Sequence, residues 1–114
     1  MGDAAELMRA RLSRDLLSAM KSRDSIATAT LRSLLAALDN ASAVAVSGAH
    51  VPVFGRSGDV PRRTLSATDC EDILGKEAHT RSVAAAEYGR LGRTEEAARL
   101  RAEIAVIERY VRVT

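Results

Sequence analysis

Apolar residues in this chain recur at every third or fourth position, and that spacing confines most of it to helices. Met8, Leu12, Leu16 and Met20 repeat every four residues, with Ala19 beside them. Ala27, Leu31, Leu34, Leu38 and Ala41 form a second stripe, which Leu35 widens. Ile73, Leu74, Ala78, Ala85, Tyr88 and Leu91 give a third inward face. Ala97, Leu100, Ile104, Ile107 and Val111, spaced 3, 4, 3, 4, make a narrow seam of the coiled-coil kind. Hydrophobic residues at 46% suffice for one core, but aromatics at only 3% leave Ala and Leu to build it. Both are strong helix formers.

Start and stop signals divide these stripes into four helices. The first spans about residues 3–23. Asp24 supplies a side-chain acceptor to cap the second, which runs to about residue 45. Ser66 followed by Asp69 resembles a capping box, and Asp69, Glu71 and Asp72 favour the positive end of the third helix. Gly89 and Gly92 end that helix, and Thr94 is expected to cap the fourth. Glu95–Arg99, Arg99–Glu103 and Glu108–Arg112 are i,i+4 pairs on its wet side.

Between the second and third stripes, Gly48, Gly55, Gly58, Pro52 and Pro61 exclude a continuous helix. A connection longer than about 12–15 residues is uncommon in a compact domain. An extended piece is expected at His50–Phe54 and mobility around Gly55–Gly58. The expected fold is therefore all-α: two antiparallel helical hairpins joined by a long Gly/Pro-containing loop. It forms a single domain over 1–114, with a first hairpin at 3–46, a loop at 47–65 and a second hairpin at 66–112.

Composition narrows the function classes. Seventeen basic and 15 acidic residues leave a net charge of +2, which permits nucleic-acid contact without demanding it. Cys70 is the single cysteine, so no internal disulfide forms, and no Cys/His spacing implies zinc. No metal or other cofactor is implied. No apolar run approaches the roughly 20 residues of a membrane span, and no signal-peptide core follows the N-terminus. The expected compartment is the cytoplasm, with no membrane partner.

Several segments stand together in a recognisable order. The first half contains Asp15-Leu16, Ala19-Met20-Lys21-Ser22-Arg23-Asp24 and Thr30-Leu31-Arg32-Ser33-Leu34-Leu35-Ala36-Ala37-Leu38-Asp39-Asn40. The second contains Lys76-Glu77, Arg81, Tyr88, Leu91-Gly92-Arg93 and Glu103-Ile104-Ala105-Val106-Ile107-Glu108-Arg109-Tyr110. This set resembles the GatB/YqeY family, with its opening hairpin "AMKxRD…LRxLxxAxxN" and its later "KE…R…xGR" and "ExxxLExYLP". Tyr110 is followed here by Val111-Arg112 rather than Leu-Pro. The chain stops at Thr114, where typical members continue into a second small helical domain, so that domain is expected to be absent.

The resemblance implies a link to tRNA-dependent amidation. The related domain forms the tail of the B subunit of glutamine-dependent tRNA amidotransferases and is associated there with holding the misacylated tRNA. Stand-alone members carry the label of carbon–nitrogen ligase with glutamine as amido-N-donor. The kinase and transamidation site of the amidotransferase lies in a separate domain that this sequence lacks.

The candidate residues admit two readings each. Glu77 and Arg81, one turn apart, are a site pair or a half-buried ion pair that sets helix register. Arg32, among leucines, reaches a phosphate or snorkels to a neighbouring acid. Lys21 and Arg23 at the first hairpin's tip, with Arg62 and Arg63 from the loop, form a basic patch if they converge, although Asp24 adjoins them. Arg93, in the glycine–arginine motif, joins the candidates.

His50 and His79 lack partners for metal or acid–base work. Cys70 is a packing residue, or a thiol whose pKa the helix dipole lowers. No nucleophile, base and oxyanion set can be assembled, so no catalytic residue is expected. The expectation is an accessory module binding tRNA or amidotransferase subunits. The alternative is a helix-mediated interaction module or homodimer, pairing through apolar surface left uncovered near Val106, Tyr110 and Val111.

Overall fold

The computed structural model describes residues 3–43 and 64–111. These form four α-helices: α1 (Ala4–Lys21), α2 (Ser25–Ala43), α3 (Ala67–Arg90) and α4 (Thr94–Glu108). The described residues contain no strand, in keeping with the all-α reading. The Gly/Pro-rich connection, with the pieces expected at His50–Phe54 and Gly55–Gly58, lies outside the described residues, as do Arg62, Arg63 and Arg112.

Two of the helix starts follow the capping signals, and a third is capped by a residue the spacing did not single out. Asp3 Oδ1 accepts from the Glu6 amide at 2.8 Å and opens α1. Asp24 Oδ1 accepts from the Ala27 amide at 3.0 Å and opens α2. At α3 the capping box is complete: the Asp69 amide donates to Ser66 Oγ, and the Ser66 amide to Asp69 Oδ2, both at 3.0 Å. The fourth start departs from expectation. Residue 93 occupies the cap of α4 with no side-chain cap, and Thr94 is already the first helical residue. The Thr94 hydroxyl instead donates back to the Gly92 carbonyl at 3.4 Å. The reason is the turn before it, which places residue 93 at the helix entry.

That turn has a twin. After α3, Gly92 sits at φ +77°, the Arg93 amide donates to the Tyr88 carbonyl at 2.8 Å, and the Gly92 amide to the Gly89 carbonyl at 3.1 Å. After α1, Arg23 sits at φ +58°, the Asp24 amide donates to the Ala19 carbonyl at 2.9 Å, and the Arg23 amide to the Met20 carbonyl at 3.2 Å. Both are Schellman motifs, in which a left-handed residue lets the last carbonyls of a helix find donors. Glycine is the usual occupant because a Cβ in that conformation costs about 1–2 kcal/mol. The second turn follows the rule, and the first places arginine there.

The hairpins are antiparallel. Arg9 on α1 reaches Asp39 and Ser42 near the far end of α2, while Met20 meets Arg32 toward the shared turn. On the other pair, Arg81 reaches Glu103, and Tyr88 and Arg93 meet across the turn. α2 packs against all three other helices. Its Leu31, Leu34 and Leu38 are buried among Leu12 of α1, Cys70 and Leu74 of α3, and Ile107 of α4, with Leu65 closing the core from outside the helices. Ala85 and Ala97 are buried apart from this cluster, nearer the second hairpin's tip.

Two inward expectations are corrected. Leu91 is 63% exposed, because it caps α3 just past the last helical turn. Met20 is 46% exposed, because the chain turns away from the core two residues later. Conversely, the face expected to lie open near Val106 and Tyr110 is closed: both are 5% exposed, and Val111 packs against the core. α1 supplies the cover. The Tyr110 hydroxyl donates to Asp15 Oδ2 at 2.5 Å, and the Arg11 guanidinium lies 4.5 Å from the ring centroid while donating to the Arg109 carbonyl. The Cys70 thiol is buried, as its reading as a packing residue expects, and burial first, then neighbouring Asp69, pushes its pKa up, against the alternative of a lowered one. The helix dipole is outweighed by the loss of water.

Two outcomes follow from this packing. Leu34→Ala opens a cavity at a fully buried site and is expected to cost about 2–5 kcal/mol, against a change within about 0.5 kcal/mol for Leu17→Ala, whose side chain faces water. Urea titrations measure both.

Burial, reinforced by Asp15, pushes the Tyr110 phenol from its ordinary 10 up to about 12. Between these values the folded chain keeps a proton that the unfolded chain has lost, so its contribution is complete below pH 10 and falls as pH rises toward 12. Tyr110→Phe is expected to lose that component of the pH dependence in denaturation curves across this window.

Candidate nucleic-acid interface

The basic residues divide by what they touch. Arg9 Nε pairs with Asp39 Oδ1 at 2.8 Å, and its terminal nitrogen donates to the buried Ser42 hydroxyl at 2.7 Å, tying α1 to α2. Arg90 pairs with Glu87 one turn back. Arg93 pairs with Glu96, and its guanidinium lies 5.5 Å from the Tyr88 ring centroid. Backbone hydrogen bonding at the helix start, then Arg93, hold the Glu96 carboxylate below its usual range.

Glu77 and Arg81 belong to a larger cluster between α3 and α4. Arg81 Nε donates to Glu103 Oε1 at 2.8 Å, and a second nitrogen donates to Glu77 Oε1 at 3.0 Å and to the Glu77 carbonyl at 3.1 Å. Arg99 approaches the other Glu103 oxygen at 3.5 Å. The Arg81 and Glu103 side chains are only 14% and 16% exposed. Burial is the largest single influence on Arg81 and favours losing its proton, but hydrogen bonds and charge from Glu103 and Glu77 together exceed it and hold the pKa above its ordinary value. A guanidinium so engaged has few donors left for a ligand.

Lys21, Arg23 and Arg32 are exposed at the first hairpin's tip and make no ion pair among the described residues. Arg23 and Arg32 line one open groove of about 460 Å³ with Met20, Ser25, Thr28 and Ala29. The Arg32 guanidinium points toward Met20 Sδ at 3.9 Å. Asp24 faces elsewhere: beyond capping α2, it lines a separate hollow of about 260 Å³ with Asp15, Ser18, Ser22 and Arg109. A third hollow of about 290 Å³, mostly apolar, runs between α1 and α3 past Leu7, Met8 and Cys70.

Among the described residues no group of three or more His, Cys, Asp or Glu side chains is placed to hold a metal ion, and no helix is long and apolar enough to cross a membrane. The arrangement offers donors and positive charge for an anion.

The family model described as Yqey-like protein matches residues 9–112, nearly the whole chain. The chain belongs to the YqeY-like family. No curated protein matches it, and no solved structure does. The match spans both hairpins of this YqeY-like chain, so the ordered motifs of the two halves belong to one unit of homology.

Sequence reading brought Arg23 and Arg32 forward separately and missed the residues that join them. Met20 carried the spacing of a core residue. Ser25, Thr28 and Arg32 lie at i, i+3 and i+7 on one face of α2, which is a readable signal, but nothing in that spacing says which helix end lies opposite.

The cluster around Arg81 generates a stability prediction. Arg81→Ala leaves Glu77 without its cation and Glu103 with only Arg99 at 3.5 Å, and is expected to destabilise the fold by about 1–3 kcal/mol. Arg99→Ala, at the cluster's exposed edge, is expected to cost less than about 1 kcal/mol. Chemical denaturation of the two variants measures the difference.

Proposed function

We propose that this YqeY-like chain is an accessory module that holds tRNA for glutamine-dependent amidation in the cytoplasm, with the amidotransferase as the assembly it serves. One observation carries the reading. Arg9 and Arg81, which tie helices together, are engaged with acids, whereas Lys21, Arg23 and Arg32 are exposed on the first hairpin with no ion pair among the described residues, and Arg23 and Arg32 share one groove. Exposed cations that share a groove and keep donors to spare suit a polyanion.

In this reading the chain positions and does not make bonds. Its one cysteine is a buried thiol with a raised pKa, the opposite of an activated nucleophile. The carbon–nitrogen ligase label of the family then describes the assembly in which the module works. The alternative, a homodimer through the α4 end, draws no support from Val106 and Tyr110, which α1 covers.

The test is tRNA binding as a function of salt, followed by fluorescence anisotropy. Contacts to about two or three phosphates give a slope of log K against log salt of about −2 to −3. Binding at low salt no tighter than that of an unrelated protein of equal net charge would defeat the proposal.

A further inference from the structure

We infer that the groove between the end of α1 and α2 seats a backbone phosphate of RNA, held by Arg23 and Arg32. The inference rests on the tRNA-binding reading and names the contact that reading requires.

The backbone gives the first argument. The turns after α1 and α3 share one hydrogen-bonding pattern and one left-handed position. Gly92 fills that position in the second turn, where it meets no neighbour. Arg23 fills it in the first, in a conformation that L side chains rarely adopt. Backbone strain of this kind collects where a side chain is needed for binding. Here the side chain placed by the strained residue lines the groove with Arg32.

The groove's chemistry gives the second. The Arg32 contact is a thioether, a weak acceptor, which leaves most of its donors available. Ser25 and Thr28 add hydroxyls, and Met20 and Ala29 add an apolar wall against which a ribose can lie. The acid next to Arg23 in sequence, Asp24, is committed to the cap of α2 and the separate hollow. A phosphodiester carries two charged oxygens flanked by ester and ribose oxygens, enough acceptors for two guanidinium forks and two hydroxyls. A single carboxylate offers two oxygens in all, so the groove fits a nucleic-acid backbone better than an acidic peptide. No aromatic side chain lines the groove, so it offers no platform on which a base could stack.

The experiment titrates the full chain and three variants with an unmodified tRNA transcript and with polyglutamate. The variants are Arg23→Gly, Arg32→Gln and, as a control, Arg101→Gln, which alters an exposed arginine outside the groove. Arg23→Gly and Arg32→Gln are each expected to weaken tRNA binding about tenfold and to reduce the salt slope by about 1, with Arg101→Gln close to the parent chain. Arg23→Gly, which copies the second turn, is expected to melt no lower than the parent, so that its lost binding is not lost folding. Arg32→Gln, on an exposed helix face, gives an independent arm.

Equal losses in all three variants overturn the inference in favour of diffuse charge. Polyglutamate binding as tight as tRNA overturns it in favour of an acidic partner. A parent chain that binds tRNA with both groove variants unaffected removes this placement and leaves the functional reading standing. A parent chain that does not bind tRNA removes both.

Discussion

The leucine face of α2 is the constraint on which the rest of the molecule depends. α2 packs against all three other helices, and its Leu31, Leu34 and Leu38 are fully buried in the core it shares with them. Aromatic bulk is scarce, so the core is mostly leucines and alanines, with Cys70, Val106, Ile107 and Tyr110, and its cohesion comes from close fit between helices. Small residues such as Ala5, Ala19 and Ala27 let the backbones approach. Because α2 lies inside on one face, its other face is free, and Ser25, Thr28 and Arg32 occupy it.

The second hairpin extends beyond that core and is held by different means. Past Ala78 on α3 and before Val106 on α4, the main apolar cluster has no member. There Ala85 and Ala97 are buried between the helices, and the Arg81 cluster joins α3 to α4 through Glu103. A half-buried ion cluster adds less net stability than packed leucines do, but its geometry tolerates fewer registers. The Arg81 guanidinium is thus neutralised within the fold, whereas Arg23 and Arg32 face an open groove.

Much of the fold was legible because its signals are local. Helical spacing, the Asp24 cap and the Ser66–Asp69 capping box each involve residues within a turn or two of one another, and each forms as read. The errors lie at helix ends and between distant segments. Leu91 and Met20 carry the right spacing for burial, but the chain turns before they reach the core. Thr94 has the chemistry of a cap, yet the Schellman turn before it sets the cap one residue earlier. Tyr110 seemed to face water because its cover, Asp15 and Arg11, comes from the opposite end of the chain.

The candidate site divides along the same line. Arg23 and Arg32 stood out individually as cations beside turns and leucines, and the family motifs were readable in order along both halves. By itself the sequence determined four amphipathic helices, the caps of α2 and α3 and membership of the YqeY-like family, because all of these depend on residue type and spacing along one dimension. Only the tertiary structure decided that Arg81 is consumed by Glu77 and Glu103, that Asp24 turns from the groove, and that Arg23 and Arg32 share it. Which charges meet depends on how helices pack across the core, and spacing along the chain carries no record of that distance.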